Sequence, residues 1–252
     1  MYPFISIGMF AIPTKAFIYL ISVWLGLTLL EKSAERLDQD RATLYSLTTN
    51  ALFIGIIGAR VVFVALHWSS YAANWISIFW PLNVGYNVWG GLLIGGAYFF
   101  FMMRAKQLNF GHTADAATPL LLILLFAIFL ADYLAGPGYG VASQWRTVPF
   151  HPVQIYELVV VLIGSGVWWM AHQKRPFAGS AFLLTTAVVA FGLLLTTPFR
   201  GNTWVTESGL HVAQIVYLII TLLCLFTLMR LMPTAAPNET VASEKQEVKS
   251  EK

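Results

Sequence analysis

An all-α membrane bundle of about seven transmembrane helices is the fold this sequence predicts. Three observations predict it. Of the 252 residues, 58% are hydrophobic and only 11% charged, where soluble domains carry about 25% charged residues. The mean hydropathy is +0.69. Apolar stretches near the length of a membrane helix recur along the chain, and Lys and Arg concentrate in alternate connecting segments.

In chain order the spans are expected at about Ala16–Leu30, Leu47–Leu66, Val88–Met103, Ala116–Ala135, Val153–Ala171, Gly179–Pro198 and Leu210–Leu231. Several are short for a hydrocarbon core of about 30 Å, so their ends are expected to extend. The first does not read as a cleaved signal, because Glu31-Lys32 follows it rather than a small-residue cleavage site. Eleven of the fifteen Lys and Arg lie after spans one, three, five and seven: Lys32, Arg36, Arg41, Arg104, Lys106, Lys174, Arg175, Arg230, Lys245, Lys249 and Lys252. Those segments are expected in the cytoplasm, with the N-terminus outside and the C-terminus inside. The segment His67–Tyr86 is rich in Trp and Tyr, as an interfacial belt is. Residues 1–232 read as the membrane domain. The polar residues 233–252 read as a disordered cytoplasmic tail.

Other classes are disfavoured. The net charge of +3 comes from loop residues and gives no nucleic-acid signature. Cys224 is the single cysteine, and the five His are scattered, so no metal or other cofactor is expected. No internal repeat is visible, which weakens a transporter reading.

Ionisable residues inside or beside apolar spans carry the functional signal, because isolated charges in lipid are costly. They are Lys15, Arg60, Asp132, Glu157 and Arg200, all toward the expected outer side. Opposite charges are expected to pair or to face a wet cavity, with Glu157 near Arg60 or Arg200. A structural ion-pair network and a functional cavity both satisfy that expectation. The run Gly90-Gly91-Leu92-Leu93-Ile94-Gly95-Gly96 lets backbones approach closely, either to another helix or to a ligand. The stretch His151-Pro152-Val153-Gln154-Ile155-Tyr156-Glu157 enters an uncharged apolar segment. Pro152 suits a helix start, and Gln154 and Glu157 share a face three residues apart. The bland alternative is an interfacial cap on helix-end N–H groups.

Taken together, these residues resemble the prolipoprotein diacylglyceryl transferase family, a bacterial inner-membrane family, over about Ile5 to Met232. His151-Pro152-Val153-Gln154-Ile155-Tyr156-Glu157 is similar to its His-Pro-Ser-Gln-Leu-Tyr-Glu segment and is the most specific match. Ile57-Gly58-Ala59-Arg60 resembles its Gly-Gly-Arg, and Trp89-Gly90-Gly91-Leu92-Leu93-Ile94-Gly95 its His-Gly-Gly-Leu-x-Gly region. Ala114-Asp115, Phe199-Arg200 and Ala213-Gln214-Ile215 resemble further elements in the family's order. The resemblance implies seven spans with the N-terminus outside. It also implies transfer of a diacylglyceryl group from phosphatidylglycerol to the cysteine thiol of a lipoprotein precursor.

That chemistry needs a thiolate and a stabilised phosphate leaving group. Under the resemblance, Glu157 and Asp132 are the candidate catalytic carboxylates. Arg60, Arg200 and Lys15, with Gly90, Gly91, His151, Gln154, Tyr156 and Gln214, are the candidate lipid- and phosphate-binding residues. The chain also departs from the family pattern. Trp89 stands where the family has His, Phe129 where it has Arg, Asp132 where it has Asn, and Lys15 where it has Tyr. Pro137 falls at its acidic residue, Phe150 at the Arg before His-Pro, and Leu193 and Thr197 at an Arg and a Glu. Three readings follow: a transferase with altered chemistry, a catalytically inactive relative that binds lipid or lipoprotein, and, with no positive signature, a transporter.

Overall fold

The computed structural model describes residues 2, 4–7, 10–72, 78, 85–136, 140–144, 149–201, 203–207 and 209–232. Pro137, Arg146, Trp75, Trp80 and the expected tail at 233–252 lie outside them. Two strands open the chain, β1 (Phe4–Ile7) and β2 (Phe10–Pro13). They are followed by α1 (Thr14–Arg36), α2 (Arg41–Leu66), the short α3 (Trp68–Tyr71), α4 (Val88–Ala105), α5 (Phe110–Ala135), α6 (Val153–Gln173), α7 (Ser180–Thr196) and α8 (Val212–Leu231). Seven of these helices are long and apolar enough to cross a membrane; α7 counts together with the 3-10 turn Thr197–Phe199 that extends it.

The helices run longer than the apolar stretches because capped polar turns precede the lipid-compatible parts. Asp40 accepts the Ala42 amide at the start of α2. Asn109 accepts from Gly111 and His112 at the start of α5, which brings His112, Thr113 and Asp115 into the helix. Asp115 is therefore not a loop residue. It is fully buried, and its two oxygens accept the Gly179 and Phe182 amides, each at 2.8 Å. The first amides of α7 have no partner within their own helix, so a carboxylate from α5 supplies one.

The antiparallel pair β1–β2 was not expected from the sequence. It joins the far end of α5, where the Tyr2 amide donates to the Leu134 carbonyl, and the Thr14 hydroxyl donates to the Tyr2 carbonyl.

Packing runs from α4 through α2 and α1 to α5, then to α6, α7 and α8. Leu27, Leu30, Ala34, Leu37, Leu44, Ala116 and Leu120 form the core where α1, α2 and α5 meet. Leu122, Phe129, Val160, Val161, Val189 and Leu193 form a second core among α5, α6 and α7. Two glycines of the run pack helix on helix. A Cβ at Gly91 would lie 2.8 Å from the Gly55 carbonyl oxygen, and one at Gly95 would lie 2.8 Å from that of Ala51. Gly91 and Gly95 thus face Ala51, Gly55 and Ala59, a small-residue seam that lets α4 lie against α2.

Candidate functional site

The alternation of helices gathers the starts of α1, α4, α6 and α8 and the ends of α2, α5 and α7 at one end of the bundle. Every singled-out ionisable residue lies there. Two ion pairs form. Arg200 donates from Nε to Glu157 Oε1 at 2.6 Å and from Nη2 to Oε2 at 2.8 Å. Lys15 Nζ donates to Asp132 Oδ1 at 2.6 Å. The pairs differ in setting. The Glu157 side chain is 3% exposed and that of Arg200 41%, against 51% and 39% for Lys15 and Asp132.

Of the two partners expected for Glu157, the structure selects Arg200. Arg60 is engaged by its own side of the molecule. It donates to the Ile78 and Gly85 carbonyls at 3.1 and 3.0 Å, and its guanidinium lies over the rings of Tyr71 and Tyr86. Arg200 sits just past the last span residue. Its hydrogen bond to Glu157 raises its pKa above the ordinary value, with the charges of Glu157, Tyr217 and Asp132 adding to the effect. By position the two pairs form one unit, both at this end of the bundle.

The segment before α6 frames this unit. The Val141 amide donates to the Phe199 carbonyl, and the His151 amide donates to the Val141 carbonyl. The chain after α5 therefore lies between Phe150-His151 and Phe199-Arg200, with isolated bridges at Gly140–Arg200 and Ala142–Phe150. His151 Nδ1 lies 3.2 Å from the Tyr156 hydroxyl, and both rings pack on Phe199. Gln154 is buried one turn before Glu157. The stretch thus does more than cap a helix end: it holds the carboxylate that orients Arg200.

Other candidates have structural employment. Gly90 packs on Val62 and Gly91 on α2. Gln214 closes a capping box with His211, accepting that residue's amide at 3.2 Å. Trp89 is exposed, so its indole faces away from the core. Phe129 is buried, and its ring lies 6.0 Å from the Arg200 guanidinium carbon. Lys15 and Asp132, two positions that depart from the resembled pattern, turn out to be each other's partners. Sequence reasoning missed the role of Asp115.

The family model for prolipoprotein diacylglyceryl transferase matches residues 3–230. Curated relatives bear the name phosphatidylglycerol–prolipoprotein diacylglyceryl transferase. One from Enterococcus faecalis is 24% identical over 86% of this chain and 86% of its own. One from Streptococcus equi subsp. zooepidemicus is 30% identical over 68% of this chain and 71% of its own. One from Cutibacterium acnes is 25% identical over 85% and 79%.

Proposed function

The chain belongs to the prolipoprotein diacylglyceryl transferase family, and on that premise we propose that it is a transferase of the bacterial cytoplasmic membrane. It moves a diacylglyceryl group from phosphatidylglycerol to the cysteine thiol of a lipoprotein precursor. Its N-terminus and site face outward and its C-terminus faces the cytoplasm. One observation carries the reading: a guanidinium clamped by a buried carboxylate, at the mouth of the bundle, beside a second and more exposed ion pair.

In the reaction a sulfur–carbon bond forms at the glyceryl carbon and its bond to phosphate oxygen breaks. The thiol proton is lost and glycerol phosphate leaves. Arg200 commits Nε–H and one Nη2–H to Glu157. A guanidinium has five N–H donors, so three remain for phosphate oxygens. Glu157 has both oxygens engaged and acts as a positioning residue. Asp132 Oδ2 has no hydrogen bond among the described residues, and this carboxylate is the acceptor for the thiol proton. Lys15 adds positive charge beside the leaving phosphate.

A second reading rests on Phe129 and Trp89. An apolar ring lies beneath Arg200, and an exposed indole stands where the family has a base. Neither supplies a phosphate donor or a base in the expected place. The loss of one oxyanion-type contact costs on the order of 10²–10³ in rate. The test is transfer from phosphatidylglycerol to a lipobox peptide by the purified chain, run beside the Enterococcus faecalis relative, with lipid binding measured in parallel. The expected result is turnover slower by about 10²-fold or more that disappears in Arg200→Gln. Lipid binding without turnover replaces the transferase with an inactive lipid-binding relative. Neither turnover nor binding overturns both readings.

A further inference from the structure

We propose that the free edge of β1 takes the extended segment of the lipoprotein precursor that follows the acceptor cysteine, as a third strand of the sheet. This inference rests on the transferase reading above and adds the place and mode of acceptor binding. β1 and β2 form a sheet of two strands, in the register Phe4↔Pro13, Ile5↔Ile12, Ser6↔Ala11 and Ile7↔Phe10. Successive pairs in an antiparallel ladder alternate between hydrogen-bonded and non-hydrogen-bonded. Pro13 has no N–H, so Phe4↔Pro13 is a non-hydrogen-bonded pair and Ser6↔Ala11 is the next. The N–H and C=O groups of Phe4 and Ser6 therefore point away from β2. Among the described residues no other element bonds to them. Such a row of main-chain groups is a template for another strand. The β2 edge is poorer. Ala11 and Pro13 face outward there, Pro13 offers no donor, and α1 begins at Thr14.

The occupant follows from where that edge leads. Tyr2, two residues before Phe4, donates its amide to the Leu134 carbonyl at 3.0 Å. Two residues of extended chain span at most about 7 Å, so the start of β1 lies against the end of α5. Asp132 stands there, two residues before Leu134, in its pair with Lys15. Its side chain is 39% exposed, and its carboxylate is the acceptor assigned above to the thiol proton. A strand laid on β1 thus has one end beside that carboxylate. The apolar leader of a secreted precursor precedes its processing site, so the residues after the cysteine are the ones that continue beyond the membrane. With the cysteine at Asp132 they run past Phe4 and then Ser6, parallel to β1. Phe4 is exposed, as an uncovered edge requires. Recognition through the main chain asks for an extended peptide and leaves its side chains free to vary. A second copy paired along β1 would bring no thiol to Asp132, because the one cysteine, Cys224, is buried in α8.

The test is binding of a fluorescent lipobox peptide to the full chain in detergent, read by anisotropy, with transfer from phosphatidylglycerol measured beside it. In one series the peptide carries a single N-methyl group, placed in turn on each of the first four residues after the cysteine. Strand addition uses the N–H of every second residue. Two of the four peptides are therefore expected to bind about tenfold more weakly, and the other two as before. In a second series Ser6→Pro removes an outward N–H without touching the ladder to β2. It should raise the Kd and KM for the peptide about tenfold and leave phosphatidylglycerol binding unchanged. Ala11→Pro, the mirror change on β2, should alter neither. With transfer intact, a uniform effect or none across the four peptides overturns the inference and leaves the transferase reading standing. Equal losses in Ser6→Pro and Ala11→Pro overturn the assignment to β1. Dimers that form in the wild type and are lost in Ser6→Pro also overturn it, because a second copy then fills the edge. A wild type that neither binds the peptide nor transfers lipid to it overturns the transferase reading itself.

Discussion

Two ion pairs of equal length, 2.6 Å, lie at one end of the bundle, and they should differ greatly in what they contribute to stability. The reason is burial. Arg200→Met strands Glu157, whose side chain is 3% exposed, with both oxygens unpaired. Removing one partner of a buried pair costs about 3–5 kcal/mol. Glu157→Gln is milder, because Arg200 stays 41% exposed and can turn to water. The loss is then that of a charged hydrogen bond, about 1.5–3 kcal/mol. Lys15→Met removes an exposed pair, for which about 0–1 kcal/mol is the usual size. At about 2–4 °C per kcal/mol for a chain of this length, Arg200→Met should lower the Tm in detergent by roughly 6–20 °C. Lys15→Met should lower it by at most about 4 °C. The double variant Glu157→Gln/Arg200→Met should be more stable than Arg200→Met alone, since no buried charge is left over. Tryptophan fluorescence on heating reads all four. Equal shifts for Arg200→Met and Lys15→Met, or strict additivity in the double variant, would refute the assignment of burial to this pair.

Asp115→Ala leaves two amides at the start of α7 without their acceptor, each worth about 1–3 kcal/mol when buried. Hydrogen exchange should rise at residues 179–182 before it rises elsewhere. Gly95→Val places a Cβ against the Ala51 carbonyl and should cost about 1–3 kcal/mol. Gly96→Ala, where a Cβ meets nothing within 4 Å, should cost nothing in the same unfolding assay and gain up to about 1 kcal/mol of helix propensity. Cysteine substitutions at Thr206 and Lys174 should react with an impermeant thiol reagent on intact cells at 206 only. Labelling at 174 from outside would reverse the proposed orientation.

Most spans were legible because charge bounds their apolar runs, but no charge lies between Arg60 and Arg104, and the charge pattern asked only for an odd count, which five would satisfy as well as seven. Their starts were less so. Arg41–Ser46 and Phe110–Asp115 are polar, and only the caps at Asp40 and Asn109 make them helical. The pairing of Glu157 was half legible. A charge next to lipid demands a partner, but choosing Arg200 over Arg60 needed the fold-back of 140–142 onto Phe199 and His151. Asp115 illustrates what a linear pattern hides. Its partners lie 64 and 67 residues away, and nothing local marks an Asp that caps another helix. Gln214 stood out only through the resemblance, although its spacing of three from His211 suits a cap as well as a ligand.

The cap that Asp115 places on α7 also bears on the order in which the chain assembles. During insertion α5 emerges before α7, and its carboxylate waits without the amides it later receives. When α7 arrives, its first turn lacks a cap of its own, since Gly179 offers no side chain. The Gly179 and Phe182 amides find their acceptor only on meeting α5. Docking of these two helices is therefore rewarded at a single point, and with a defined vertical register. A shift of α7 by one residue along α5 would take both amides away from the carboxylate. Because Arg200 follows directly on the far end of α7, that register also fixes the height at which the guanidinium meets Glu157. An acid at one face of the membrane thus sets the alignment of a pair at the other.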